Sequence, residues 1–177
     1  HEASTKDVMT ATSTDFLNWT EPEWLTYSPQ RWTRFSTKKT RFSPFVQFYT
    51  NQIQPYHRAP HIYLGFPTRY MAGRGKLTEL NKRLSENVEY FGADYTDGGF
   101  MTSRDGRRVE FWGEAFIRPG EQKKDRWVYC DNFQALGIIE TKSATEGARH
   151  ELSLYVNENF WRQCRLRRYT LRLDGFV

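Results

Sequence analysis

The chain reads as an all-β protein built from repeated four-stranded antiparallel sheets. Three observations predict this. Aromatic residues make up 16% of its 177 residues, with 13 Phe, 10 Tyr and 6 Trp, a share that favours pleated, half-buried strands over a helical bundle. Short alternating runs bounded by Gly, Pro, Asn and Asp recur along the chain, the pattern of strands joined by turns. The chain also repeats itself. Asp7 to Asp15 (DVMTATSTD) aligns without a gap on Asp97 to Asp105 (DGGFMTSRD), ninety positions later, each copy ending in Thr-Ser-x-Asp. Self-similarity at a fixed offset is the signature of repeat architectures.

The elements follow in order. Strands over about 7–13 and 16–26 open the chain, with Trp19 and Glu21 after the first Ser-x-Asp turn as Trp112 and Glu114 come after the second. One complete unit is expected at 45–56, 60–68, 97–103 and 108–117, and the first pair matches its third and fourth members. Residues 71–95 interrupt the unit. There Leu77, Leu80, Leu84 and Val88 recur at spacings of three and four, which predicts a helix over Leu77–Val88 capping one side of a sheet. Three further strands, 128–142, 150–157 and 165–173, match the first three members, with Tyr129-Cys130-Asp131 answering Tyr49-Thr50-Asn51. In the last strand, Arg168, Thr170 and Arg172 fall on one face and Tyr169, Leu171 and Leu173 on the other. The chain thus divides into the end of one sheet unit (1–27), a whole unit with its insertion (44–117) and most of a next (127–177).

In STDFLNW (13–19) and SRDG (103–106) the aspartate is placed to accept hydrogen bonds from the backbone N–H groups of a tight turn, which Gly106 eases by tolerating positive φ.

Net charge is +5 and the pI about 9.2, with basic clusters at Arg31–Arg41 and Arg162–Arg172. This permits polyanionic partners without requiring them. No aromatic-interleaved basic motif of the RNA-binding kind is present, so nucleic acid is the least favoured partner. Cys130 and Cys164 fit neither a zinc spacing nor a disulfide framework, and leave one bridge open. The four His residues form no cluster at ligand spacing, so neither a metal nor another cofactor is expected. No run of 18 apolar residues suggests a membrane span. The first residue is His1, without a charged-then-apolar leader, which reads as a processed product or a fragment.

The pattern S-x-D-x-x-x-W resembles the Asp-box turn of sialidases and other carbohydrate-active propellers. Together with RAPHIYLGFPTRY (58–70), DGGFMTSRDG (97–106), GEAFIRPG (113–120) and RLRRYTLRLDGFV (165–177), it is similar to the C-terminal part of bacterial glycoside-hydrolase-like five-bladed β-propellers related to hydrolase families 32 and 43. The resemblance covers nearly the whole chain. It implies blades of four-stranded sheets, of which this chain supplies about two, and an extracellular or periplasmic location. An unclosed propeller exposes long strand edges, so the expected partners are the rest of the propeller or another chain, besides a carbohydrate ligand.

In such a propeller the first strand of each blade lines the central channel. That places Asn51, Gln52, Gln54 and Tyr56 beside Asp131, Asn132 and Gln134, amides and carboxylates suited to sugar hydroxyls. Glycoside hydrolysis uses two carboxyl groups flanking the bond, and the candidates are Asp131, Asp97 and Glu114. Asp97 equally fits a turn cap beside Gly98-Gly99, and Glu114 an ion pair with Arg118. The resemblance also implies a general-acid Glu before a Gly-Pro pair, yet the comparable position before Ala59-Pro60 is Arg58. An arginine stays charged and cannot be that acid. Arg58 can instead clamp a carboxylate, sulfate or phosphate, which points to an anionic polysaccharide. His61 is a packing residue or a second polar contact. A glycoside hydrolase, a non-catalytic glycan binder and a structural subunit of an assembly all remain open at this stage.

Overall fold

The computed structural model describes residues 8–28, 47–71, 95–121, 131–160 and 164–176. Every regular element among them is a strand: β1 (Met9–Thr10), β2 (Glu23–Trp24), β3 (Thr26–Ser28), β4 (Gln47–Thr50), β5 (Gln54–Tyr56), β6 (Ala59–Gly65), β7 (Thr68–Met71), β8 (Tyr95–Gly98), β9 (Met101–Ser103), β10 (Arg108–Phe111), β11 (Phe133–Gln134), β12 (Ile139–Thr141), β13 (Glu151–Glu158) and β14 (Arg165–Arg172). The helix expected over Leu77–Val88 lies outside the described residues.

The main sheet runs β3-β10-β9-β6-β5. Its strands β5, β6, β9 and β10 come from the four segments of the expected unit and lie side by side in chain order, all antiparallel. β3 joins β10 in parallel at the edge. In the last sheet β13 is central, with β11 and β12 in succession along one side and β14 on the other. β1 and β2 form a separate hairpin.

The expected strands 45–56, 60–68 and 97–103 do not run straight. Each breaks, so that β4, β7 and β8 make a sheet of their own, ordered β4-β7-β8. The three bends have local causes and stack on one another. Gln52 sits at φ +47°. Pro67 lacks the N–H that a continuous strand would donate. Gly99 donates its N–H to Pro67 O at 2.8 Å, and a Cβ there would lie 2.8 Å from the Phe111 ring and 3.1 Å from Pro67 Cγ. The meander therefore turns a corner, as strands do when they switch sheets at bends. Strand 16–26 is likewise reduced to β2 and β3, because residues 15–19 are spent in a turn, and 128–142 divides into β11 and β12 around Gly137, at φ +82°.

The pleat sorts the main sheet into two faces. Register places Tyr63, Ser103, Val109 and Tyr27 in one row, and this face packs on a core of Leu25, Phe48, Met101, Val109 and Phe111. Leu64, Thr102, Glu110 and Ser28 form the row on the opposite face. The second core joins Leu64, Phe66, Phe100 and Tyr56 to Leu152, Leu154 and Val156 of β13. On β14 the alternation holds: Tyr169, Leu171 and Leu173 pack against that core, while Arg168 on the other face pairs with Glu151 at 2.7 Å.

Candidate functional site

The two Ser-x-Asp turns are the same object made twice. In the first, Asp15 Oδ1 accepts from the N–H groups of Leu17 and Asn18, both at 2.8 Å, and Ser13 Oγ from Phe16 N at 2.8 Å. In the second, Asp105 Oδ1 accepts from Arg107 N at 2.9 Å and Arg108 N at 2.8 Å, and Ser103 Oγ from Gly106 N at 2.9 Å. These N–H donors, Asn18 and Arg108 foremost, hold both carboxyls well below the ordinary range. Phe16 occupies the left-handed position that Gly106 fills, at φ +62° against +70°. Both aspartates are thereby committed to their turns.

Of the amides expected along a channel, Gln52 and Gln134 meet, in a polar seam where β11 passes β8, and the others go to separate neighbours. Gln52 Nε2 donates to Gln134 O. Gln134 Nε2 in turn donates to Pro67 O and Gly99 O, each at 3.1 Å, and so ties down the corner of the meander. Gln54 lies against Gly137, where a Cβ would stand 2.4 Å from its Nε2. Asn51 is partly buried, and its carbonyl lies near Gly65. Asn132, at φ +60°, is buried and donates to Thr96 O at 3.4 Å.

The three candidate carboxylates are not gathered in one place. Asp131 is 1% exposed; its Oδ1 accepts from Asn159 N at 2.7 Å and its carbonyl from Thr96 Oγ1. Asp97 is 2% exposed and receives both Nε and Nη2 of Arg69, each at 2.7 Å, in a two-pronged buried ion pair. Arg69 spends Nη1 on Gly113 O at 2.7 Å. Glu114 stands on the surface and pairs with Arg118 at 3.1 Å.

Arg58 grips a carboxylate, but one belonging to this chain. Its Nε and Nη2 reach the two oxygens of Asp174 at 3.0 and 3.3 Å, and Nη1 reaches Glu140 at 3.4 Å. Tyr56 donates its hydroxyl to Asp174 at 2.5 Å. Burial, followed by the Asp174 hydrogen bond and charge, pushes the Tyr56 phenol up to about 12. The bond from Arg58, then that from Tyr56, holds Asp174 below the ordinary carboxylate range. Glu140 is lowered mainly by the hydrogen bond to His150 Nδ1 at 2.9 Å, with Arg58 adding to it. His61, on β6, is exposed.

This latch forms one wall of an open cleft of about 800 Å³ over the main sheet. The row Leu64, Thr102, Glu110 and Ser28 is its floor, and Phe100, Trp112, Arg104 and the turn bearing Asp174 and Phe176 are its sides. Trp112 is 45% exposed; its indole N–H donates to Thr102 Oγ1 at 3.3 Å, and its ring stacks on Phe100 at 6.5 Å. Phe100 also stacks on Phe176, at 5.4 Å and 7°. Arg108 is paired with Asp105 at 3.1 Å. Among the described residues the side chains of Glu110 and Arg104 have no ion-pair or hydrogen-bond partner, while the Glu110 backbone belongs to the sheet. No family model, curated protein or solved structure matches this chain.

Of the residues expected at a site, Tyr56 lines this cleft, apart from the channel partners expected beside it, and Glu110, Trp112, Phe100 and Asp174 were missed. The first two were readable in part, since Arg108, Glu110 and Trp112 share a strand face by period-2 alternation. Asp174 was not, because it reaches the cleft only through the pairing of β14 with β13.

Proposed function

We propose that the chain is a carbohydrate-binding module, part of a β-propeller, whose open cleft receives a neutral sugar chain. The single observation that carries this is the half-exposed Trp112 ring standing beside a row of hydrogen-bonding groups, Thr102, Glu110 and Ser28, on one sheet face. An aromatic face covers the apolar side of a pyranose, and the neighbouring polar groups meet its hydroxyls. The chain-order antiparallel sheet β5-β6-β9-β10 supports the propeller-blade reading. A neutral ligand is favoured because Arg58 is engaged by Asp174 and Glu140 and Arg108 by Asp105, and the unpaired Arg104 is balanced in the same cleft by the unpaired Glu110.

Calorimetric titration with neutral and with sulfated or uronic-acid oligosaccharides tests this. Neutral chains bind and Trp112→Ala weakens them by about 3- to 10-fold, the worth of one aromatic contact. Absence of binding, or binding indifferent to Trp112, overturns the proposal.

A glycoside hydrolase is the second reading. It is favoured by Glu110 and Asp174, two carboxylates lining the same cleft, one of them held ionised by Arg58. Hydrolysis abolished by Glu110→Gln would support it. Binding without turnover, unchanged in Glu110→Gln, would retire it.

A further inference from the structure

The first Ser-x-Asp turn carries a feature its twin lacks. Both turns use the same hydrogen bonds and the same left-handed residue, yet the second fills that position and the next with Gly106-Arg107 and the first with Phe16-Leu17. A bulky residue at positive φ is strained where glycine is not. The strained phenylalanine is not repaid by burial, since Phe16 is 82% and Leu17 84% exposed. Trp19, 54% exposed, packs edge-on against Phe16 at 5.7 Å and donates its indole N–H to Phe16 O. The result is a rigid apolar knob at the end of the β1–β2 hairpin, flanked by Asp15 and Glu21.

The same chain holds a matching socket. The cleft is walled by Ile62, Leu64, Phe100 and Trp112, and exposed Arg104 stands at its side opposite in sign to the acids of the knob. We infer that two copies of the chain pair about a twofold axis, each hairpin tip seated in the cleft of the other. Area selects this arrangement. One tip offers on the order of 400 Å² of apolar surface, taking each aromatic at about 150–250 Å². Reciprocal seating then buries roughly 1,600 Å² in all, the size of a standard specific interface, whereas a one-way contact buries about half, the size of a crystal contact. A twofold pairing also closes, while a one-way contact continues into an open chain of molecules.

The test is sedimentation velocity of the full chain over a wide concentration range. The expected wild-type result is a species of twice 21.1 kDa. Phe16→Gly with Leu17→Arg copies the residues of the second turn and so keeps the fold, checked by an unaltered circular dichroism spectrum. It should weaken dimerisation by about tenfold or more, and Arg104→Glu should weaken it further. A single 21.1 kDa species at every concentration, or a dimer indifferent to the tip exchange, overturns the inference. So does a monomer that floats with phosphatidylcholine vesicles in a Phe16-dependent way, which would assign the knob to a lipid surface. A seated tip fills the same cleft as the proposed sugar, so oligosaccharide should compete with dimerisation in wild type, and its binding to the monomeric tip variant, which keeps the cleft residues, separately decides the sugar reading.

Discussion

Asp97→Asn separates a structural carboxylate from a catalytic one. The Asp97 and Arg69 side chains are 2% and 5% exposed and meet through two hydrogen bonds of 2.7 Å. The amide keeps the shape but removes the charge, and it presents an NH₂ to a guanidinium that can only donate. Arg69 would keep Gly113 O and the Phe111 ring, 5.6 Å away, among its partners but lose the buried charge that balances its own. Removing one member of a buried pair costs about 3–5 kcal/mol, against a total stability of roughly 5–15 kcal/mol for a domain. At roughly 2–4 °C per kcal/mol for a chain of this size, Tm falls by about 6–20 °C. Differential scanning calorimetry with urea unfolding measures both. Arg69→Met combined with Asp97→Leu should recover most of the loss, because apolar isosteres avoid the desolvation of two charges. A Tm within about 2 °C of wild type in Asp97→Asn would refute the reasoning. A carboxylate kept for chemistry at the expense of packing would behave in that way.

Other outcomes follow from the turns, the latch and the sheet. Asp15 and Asp105 titrate below the ordinary carboxylate value of about 3.9, so their contribution is complete above that pH and is lost as pH falls below it through their own lower values. Acid unfolding of Asp15→Asn with Asp105→Asn should accordingly be flatter below about pH 4 than that of wild type. The Tyr56 phenol, raised to about 12, stabilises the fold up to the ordinary tyrosine value of about 10 and loses that effect as pH rises further. Absorbance titration should show one late-ionising tyrosine that disappears in Tyr56→Phe and moves down in Asp174→Ala. Gly65→Ala places a Cβ 2.5 Å from Met101 Cγ and 2.7 Å from Ile53 Cγ1. It should cost about 1–3 kcal/mol by overpacking, measured as a lower urea midpoint at unchanged slope.

Strand existence and face were legible because both rest on local chemistry. The alternation in RLRRYTLRL sets Tyr169 and Leu171 inward without reference to any other segment. The Ser-x-Asp turns were legible for the same reason, since the serine and aspartate of each take their backbone N–H donors from within six residues of chain. The corner was not. An alternating run such as HIYLGFPTRY has the same period on both sides of a bend, so only Pro67 and the Gly98-Gly99 pair carried the signal, and each equally marks an ordinary strand end. The roles of acids were least legible. Asp97 and Asp131 are as compatible with catalysis as with burial until their partners, Arg69 twenty-eight positions away and the Asn159 amide as far again, are known.

Arg58 joins these levels. Its guanidinium was expected to clamp an anionic group of a substrate; it grips instead a carboxylate of its own chain, in the two-pronged geometry that arginine imposes on carboxylates. The chemistry could be read from the residue type, whereas the partner depends on topology. Asp174 follows β14, which reaches the β5–β6 turn only because β13 carries it there in register, Glu151 opposite Arg172. The same placement sets Phe176 on Phe100 at the cleft wall. Arg58 thereby stops being a free anion receptor and becomes the clasp that holds the cleft wall in position, and an anionic ligand would have to displace Asp174 to reach it. On the sugar-binding proposal, the cleft beside it offers Trp112, Thr102 and the oppositely charged Glu110 and Arg104, a balanced set better suited to hydroxyls than to a sulfate or carboxylate.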